Sequence, residues 1–298
     1  MKLEIAFEKF IMSKKLADLS PKTISDYRQT VQPFVKYMGT DRTVSDISQD
    51  DVDNYISMIV EMSISKATKS SYIRQTKVFL KWLDSVCIVN YNYKLIKVPK
   101  APKKVVKIYS DEELKCILDT VSAENEWLVF RNKAIISLMY DSGLRQAEVC
   151  GLRCNKTSFE NKRMTVYGKG SKERVVPLGN VSIYFLKKYM ELCPYKSQYV
   201  FVDRYGAELT CNSVKILVYK IAKQLPFEFS SHKLRHNFAT NYCLDQYEKK
   251  GQIDIYSLKA LMGHSDIETT ERYLHLAMEI IASRNSISHL DKILGLEN

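Results

Sequence analysis

The chain has 298 residues, 45% of them hydrophobic, with 45 Lys and Arg against 34 Asp and Glu for a formal charge of +11. That is enough chain and enough apolar matter for two domains, each with its own core. No run of eighteen apolar residues occurs and the opening stretch, MKLEIAFEKF, is charged rather than signal-like, which excludes a membrane span and a secretion signal and predicts a soluble, cytoplasmic, nucleoid-associated protein.

Met1–Leu16 carries Leu3, Phe7, Phe10 and Ile11 at helical spacing. Ser20 followed by Pro21 marks a fresh helix start, a serine N-cap with proline at the first helical position. That helix runs through Tyr27, Val31, Phe34 and Val35 to a stop at Gly39, and Pro33 within it predicts a kink. Ser48–Asp51 resembles a capping signal ahead of Val52, Tyr55, Ile56 and Ile59. A fourth helix over about Ser65–Cys87 puts Tyr72, Thr76, Phe79, Leu80, Leu83 and Val86 on one side, with Arg74, Lys77 and Lys81 opposite. Periodicity alone fits an ordinary solvated face there as well as one that meets a nucleic acid.

The first 107 residues hold 19 basic against 11 acidic residues, and the remainder 26 against 23, so the excess sits in the N-terminal third. Between Ser85 and Ser110 there is no acidic residue, while Lys94, Lys97, Lys100, Lys103, Lys104 and Lys107 all fall there. Val98–Lys104, proline- and lysine-rich without a helical period, reads as a linker. The predicted organisation is a helical domain over 1–98, a basic linker over 99–108 and a second domain over 109–298. Such a basic balance favours a polyanionic partner, although a solvated linker shows the same composition.

Ser110–Glu113 is a capping box that opens the second domain. Helices follow at about Asp111–Ser122 and Trp127–Asp141, with Gly143 as the stop. Arg163–Tyr167 and Arg174–Pro177 read as short strands joined by the turn Gly168–Glu173, which places Lys169 on a hairpin. Helices then dominate, ending in an amphipathic tail over about Met278–Leu294 with Ile280, Ile281, Ile287, Leu290, Ile293 and Leu294. Its stripe docks either on its own domain or on a neighbouring copy. The predicted fold class is mainly α with a small antiparallel β-sheet, the second domain being mixed α/β. Seven cysteines without C-x-x-C pairs point to reduced thiols. Cys150 and Cys154 lie four apart without a matching ligand pair, so they read as packing residues ahead of zinc ligands, and no metal is expected.

One stretch, Ser231–Leu276, concentrates polar chemistry. His232 and Arg235, three apart, share a helix face. Gly263–Asp266 interrupts the following helix, and Asp266–Thr270 reads as the start of another that carries Tyr273. Together with Ser142–Glu148 and Gly168–Arg174, these pieces resemble the tyrosine recombinases, the phage integrase family, and in particular its two-domain Xer-like and Cre-like members. By that resemblance Arg145 matches the first arginine and Glu148 the acidic residue that steadies it. Lys169 matches the hairpin lysine, and His232 and Arg235 the H-x-x-R pair. His264 matches the second histidine, and Tyr273, nine residues on, the nucleophile. All seven stand in the family's order. One departure is the stretch between Arg235 and His264, where Glu248–Gln252 looks like a longer loop.

The resemblance implies an N-terminal core-binding domain of four or five helices, with Arg74, Lys77 and Lys81, and Lys100, Lys103 and Lys104 of the linker, as DNA contacts. It implies recombination sites in double-stranded DNA as the partner and a homotetramer on that DNA. The implied reaction is a 3′-phosphotyrosyl link formed and resealed without ATP, metal or other cofactor. With no arm-binding domain ahead of the core-binding one, simple target sites are expected.

Taken singly, each of these residues has a plainer reading: Tyr273 as packing, Arg145 as a surface ion-pair partner, Lys169 as a solvated hairpin tip, the histidines as helix caps or core hydrogen-bonders, Glu148 as an exposed helix acid. As a set they fit phosphodiester chemistry. Two guanidinium forks suit the non-bridging oxygens of a five-coordinate phosphorus, and a phenol can attack phosphorus and later leave. A charged lysine is an acid for the departing 5′ oxygen, and the histidines can hydrogen-bond the phosphate or take the phenolic proton. The alternatives are a type IB topoisomerase-like enzyme that nicks and reseals, or a non-catalytic DNA-binding regulator on the same scaffold.

Overall fold

The computed structural model describes residues 1–99, 107–168, 172–284 and Ile293. The chain divides into two compact units, Met1–Val105 and Val106–Asn298.

The first unit is helical. Its elements are α1 (Leu3–Leu16), α2 (Pro21–Met38), α3 (Gln49–Glu61) and α4 (Lys66–Val86). Local sequence sets their ends. The Ser20 hydroxyl accepts from the Thr23 N–H at 3.2 Å to open α2, which continues through Pro33 and stops at Gly39, where φ is 92°. Ser48 and Asp51 form a reciprocal capping box at the start of α3. The Arg42 guanidinium also grips Asp51 and, with the Ser48 hydrogen bonds, pulls its carboxyl down to about 2. The core is aromatic: Phe79 of α4 lies 5.9 Å from Phe7, 5.1 Å from Phe10 and 6.2 Å from Phe34, all edge-to-face. The buried seam of α4 is Ser70, Ile73, Thr76, Phe79, Leu80 and Leu83. Val86 falls outside it, half exposed, because the helix ends there.

The second unit opens with α5 (Asp111–Thr120) on the Ser110–Glu113 capping box, followed by α6 (Glu126–Asp141) and the short α7 (Gln146–Cys150). A three-stranded antiparallel sheet comes next, in the order β1 (Thr157–Ser158), β2 (Arg163–Tyr167), β3 (Glu173–Pro177). The two longer strands were expected; β1, two residues long, is too short to carry a periodic signal. Pairing of Val166 with Arg174 and Tyr167 with Glu173 closes the β2–β3 hairpin. Then come α8 (Asn180–Leu192), α9 (Cys211–Ala222), α10 (Ser231–Lys250), α11 (Ile255–Met262) and α12 (Glu268–Arg284).

Two findings depart from the sequence reading. Glu248, Lys249 and Lys250 belong to α10 rather than to a loop, and the helix ends at Gly251 in the left-handed region with φ 67°. Met278–Arg284 is not a separate tail helix but the continuation of α12. Along α12, Thr270, Tyr273, Ala277 and Ile281 are buried, a seam that packs on α10 and α11 with Phe238, Cys243, Leu258 and Met262. The remaining stripe residues Ile287, Leu290 and Leu294 lie outside the described residues, while Ile293 is 64% exposed.

Candidate active site

The C-terminal end of α11 organises the site. A helix leaves its last carbonyls without intrahelical partners, and its negative dipole end favours cations. Here the Leu261 carbonyl accepts from Arg174 Nε at 2.7 Å, that of Met262 from Arg235 Nη2, and that of Gly263 from Arg145 Nη2 at 3.3 Å. Three guanidinium groups from three different elements thus converge on one helix end. Gly263 makes the turn possible: its φ is 60°, and a Cβ there would sit 3.1 Å from Arg174 Nη1.

Glu148 binds the same arginines from the other side. Its carboxylate, 4% exposed, accepts from the Arg145 backbone N–H (2.8 Å) and Arg145 Nη1 (2.8 Å), and from Arg174 Nη1 and Nη2 (2.6 and 2.8 Å). Arg235 Nη1 lies 3.8 Å away. Burial opposes the charge of Glu148, but the hydrogen bonds from Arg174 and Arg145 outweigh it and hold the carboxyl below its ordinary range. The turn before α7 depends on Gly143, where φ is 61° and a Cβ would meet Phe238 Cδ1 of α10 at 2.4 Å. Its carbonyl accepts from Arg235 Nη1. Burial, with the charge of Arg145 added, draws the Arg235 guanidinium down to about 10.

The opposite wall is aromatic. Tyr273 is 2% exposed, with the His264 ring stacked 6.3 Å away and the His236 ring at 5.3 Å. His264 Nδ1 lies 2.9 Å from Thr270 Oγ1, and its Nε2 lies 3.3 Å from Arg235 Nη2. An arginine only donates, so Nε2 is the acceptor and the proton sits on Nδ1, directed at Thr270. Burial, reinforced by the surrounding guanidinium charges, lowers the three histidines: His236 and His264 to about 4, and His232 below its ordinary value. Arg272 Nη2 donates to the Tyr273 hydroxyl at 2.8 Å, and its guanidinium carbon lies 4.8 Å from that ring's centroid. Four guanidinium groups and neutral imidazoles around a single carboxylate make a pocket short of negative charge, suited to an anionic group.

Comparison with known proteins agrees with this geometry. Residues 107–279 match the phage integrase family, and residues 7–86 match the N-terminal SAM-like domain of phage integrases. The chain belongs to the phage integrase family. It is 30% identical over 274 residues to the tyrosine recombinase XerC of Bacillus pumilus, covering 87% of this chain and 88% of the relative. It is also 30% identical over 292 residues to XerD of Oceanobacillus iheyensis, covering 92% and 94%. Among solved structures, the post-cleavage complex of the XerH recombinase with a palindromic difH substrate has a TM-score of 0.72 at 24% identity, covering 94% of this chain and 83% of that one. A lambda integrase dimer on a core site gives 0.71 at 17% identity, covering 92% and 95%.

Of the seven residues matched to the integrase pattern, Arg145, Glu148, Arg235, His264 and Tyr273 come together around the end of α11, and His232 stands at the exposed N-terminal turn of α10. Lys169 lies outside the described residues, as do Lys100, Lys103 and Lys104. On α4, Arg74 and Lys81 are exposed, whereas Lys77 donates to the Ile96 carbonyl at 2.7 Å. Among the described residues no group of His, Cys, Asp and Glu is placed to hold a metal.

Four participants went unnoticed in the sequence: Arg174, His236, Thr270 and Arg272. Arg174 carried a signal. In a strand it shares a face with Val176, which is 1% exposed, and a charge on a core face demands a buried partner.

Proposed function

We propose that the chain is a site-specific DNA recombinase that cuts and rejoins duplex DNA through a 3′-phosphotyrosyl intermediate on Tyr273. The observation that carries this is the convergence of Arg145, Arg174 and Arg235 on one helix end beside a phenol ringed by neutral histidines. Nothing about binding alone calls for a buried tyrosine there.

In this reading Arg145 and Arg235 hold the non-bridging oxygens of the scissile phosphate, and Glu148 with Arg174 fixes their angle. Tyr273 Oη attacks phosphorus, the 5′ oxygen leaves with a proton from Lys169, and His232 and His264 hydrogen-bond the phosphate. The family resemblance and the DNA complexes of XerH and lambda integrase support DNA recombination sites as the substrate. The helical first unit would grip the duplex through Arg74 and Lys81 and the linker lysines, and four protomers would exchange strands pairwise, with the chain end seating on a neighbour.

The test is a nicked duplex carrying the target site, in which cleavage traps the covalent adduct. Wild-type protein should form an adduct that maps to Tyr273, and Tyr273→Phe should bind the same duplex with unchanged affinity yet form none. An adduct persisting in the Phe variant would assign the attack to another residue.

A further inference from the structure

Arg272 is the one arginine of the site that neither Glu148 nor the end of α11 engages among the described residues. Its guanidinium lies against Tyr273, with Nη2 on the hydroxyl at 2.8 Å and the guanidinium carbon 4.8 Å from the ring centroid. Its charge is also felt across the pocket: it is the foremost neighbouring charge acting on His236 and contributes at His232 and His264.

Two physical points decide what this contact does. Arg272 and Tyr273 are adjacent on one helix, so their contact cannot pin α12 to the rest of the domain. It travels with the phenol wherever the helix carries it, and it is therefore no brake on the helix. Secondly, a guanidinium only donates. With one lone pair of Oη taken by Arg272, the hydroxyl proton must point away from that guanidinium.

We propose that Arg272 is a positioning residue for Tyr273: it fixes the rotor of the attacking phenol and stabilises the phenolate character that Oη takes on as its proton leaves. The inference rests on the recombinase reading above. In the step it serves, the Oη–phosphorus bond forms and the bond from phosphorus to the 5′ oxygen breaks. The phenolic proton passes to an acceptor opposite Arg272, either a neutral imidazole or a non-bridging phosphate oxygen, and the 5′ oxygen takes a proton from Lys169. Arg272 gains and loses no proton. Its hydrogen bond strengthens as Oη gives up its own proton, which is the differential interaction that accelerates a step.

The experiment compares single-turnover adduct formation on the nicked duplex by wild type, Arg272→Lys and Arg272→Ala, with duplex affinity and thermal melting measured alongside. Arg272→Ala should bind and melt like wild type and form adduct slower by on the order of 100-fold, the loss expected for one preorganised donor to a developing oxyanion. Arg272→Lys should fall between, since an ammonium supplies the charge without the planar fork. Millimolar guanidinium ion should restore adduct formation to the Ala variant, while equal sodium or ammonium should not. An unchanged or faster rate in Arg272→Ala overturns the proposal. So does a slow rate that guanidinium fails to rescue and that tracks weaker duplex binding, which would make Arg272 a backbone phosphate contact. If wild type itself forms no adduct on Tyr273, the recombinase reading falls and this proposal with it. If wild type reacts and only the Arg272 predictions fail, the recombinase reading stands.

Discussion

The arginine cluster and the tyrosine share one pocket but are held by different means. Glu148 alone accepts four hydrogen bonds from Arg145 and Arg174, and the same guanidinium groups, with Arg235, are tied again to the carbonyls that end α11. Tyr273, by contrast, sits on an apolar seam with Ala277 and Ile281, and its hydroxyl is met by the neighbouring side chain of its own helix. A preorganised clamp is what a phosphate needs, because donors fixed in advance cost no reorganisation when charge develops. Tyr273, at 2% exposure, would in the proposed reaction have to turn out to reach phosphorus, and a seam of apolar contacts permits that with no buried ion pair broken.

The sharpest way to break this contrast is Glu148→Gln. The shape is kept, but the buried guanidinium of Arg174 and the partly exposed one of Arg145 lose their counter-ion, and removal of one partner from a buried ionic cluster costs about 3–5 kcal/mol. For a unit of this size that lowers the melting temperature by roughly 10 °C. The two tryptophans make it measurable: Trp82 is in the first unit and Trp127 in the second, so a Trp82→Phe background reports the second unit alone. In that background Tyr273→Phe, which gives up one hydrogen bond, should shift stability by about 1 kcal/mol or less. Equal melting of the two variants would mean that Glu148 is not the hub of the clamp.

Within the clamp a second comparison sharpens the first. The Arg145 side chain is 38% exposed and that of Arg235 8%, and Arg235 bridges the carbonyls of Gly143 and Met262 with its two ends. A lysine offers one nitrogen and cannot span both. Both Arg145→Lys and Arg235→Lys should form adduct slower by about 100-fold or more. Only Arg235→Lys should also lower stability, by about 1–3 kcal/mol for the carbonyl left unpaired. Near-normal adduct rates in both would remove the bidentate clamp from the mechanism.

Most of the scaffold was legible in the residues because helix ends are written locally. Ser20, Ser48 and Ser110 each cap the helix they precede, and Gly39 and Gly143 stop the ones they follow. The five residues gathered at the end of α11 were legible as spaced motifs. What escaped were contacts made only in three dimensions. Arg174 reads as a strand residue until the hairpin lays it on Glu148, and Thr270 as an ordinary helix-start residue until His264 turns to meet it. The length of α10 escapes for another reason: Glu248–Gln252 reads as an inserted loop, although Lys249, Lys250 and Gly251 together form a helix-end signal.

The smallest effect expected is a pH dependence that again separates the two walls. His236 and His264 titrate at about 4 in the folded protein against an ordinary value of 6.5, because burial and the nearby guanidinium groups disfavour their charged forms. A base with a lowered folded pKa is bound by fewer protons when folded than when unfolded, so stability is complete above pH 6.5 and declines as pH falls from 6.5 towards 4. Glu148, also lowered, adds to the loss in the same direction but only below its ordinary value of 4.5. Between pH 6.5 and 4.5 the histidines carry the loss, opposed by buried Asp141, whose carboxyl burial holds above its ordinary range. Both rings are only half buried, so the full shift must be discounted for solvent screening, leaving about 1 kcal/mol per ring across that window. Melting of the second unit, followed by Trp127, should drop over this range, and His236→Phe should flatten part of the slope, with His264 and His232 carrying the rest. Bound duplex should flatten it too, since a phosphate in the pocket supplies the anion that lets the imidazoles accept a proton. A slope that survives in both cases would place the titrating groups elsewhere and the phosphate away from the histidine wall.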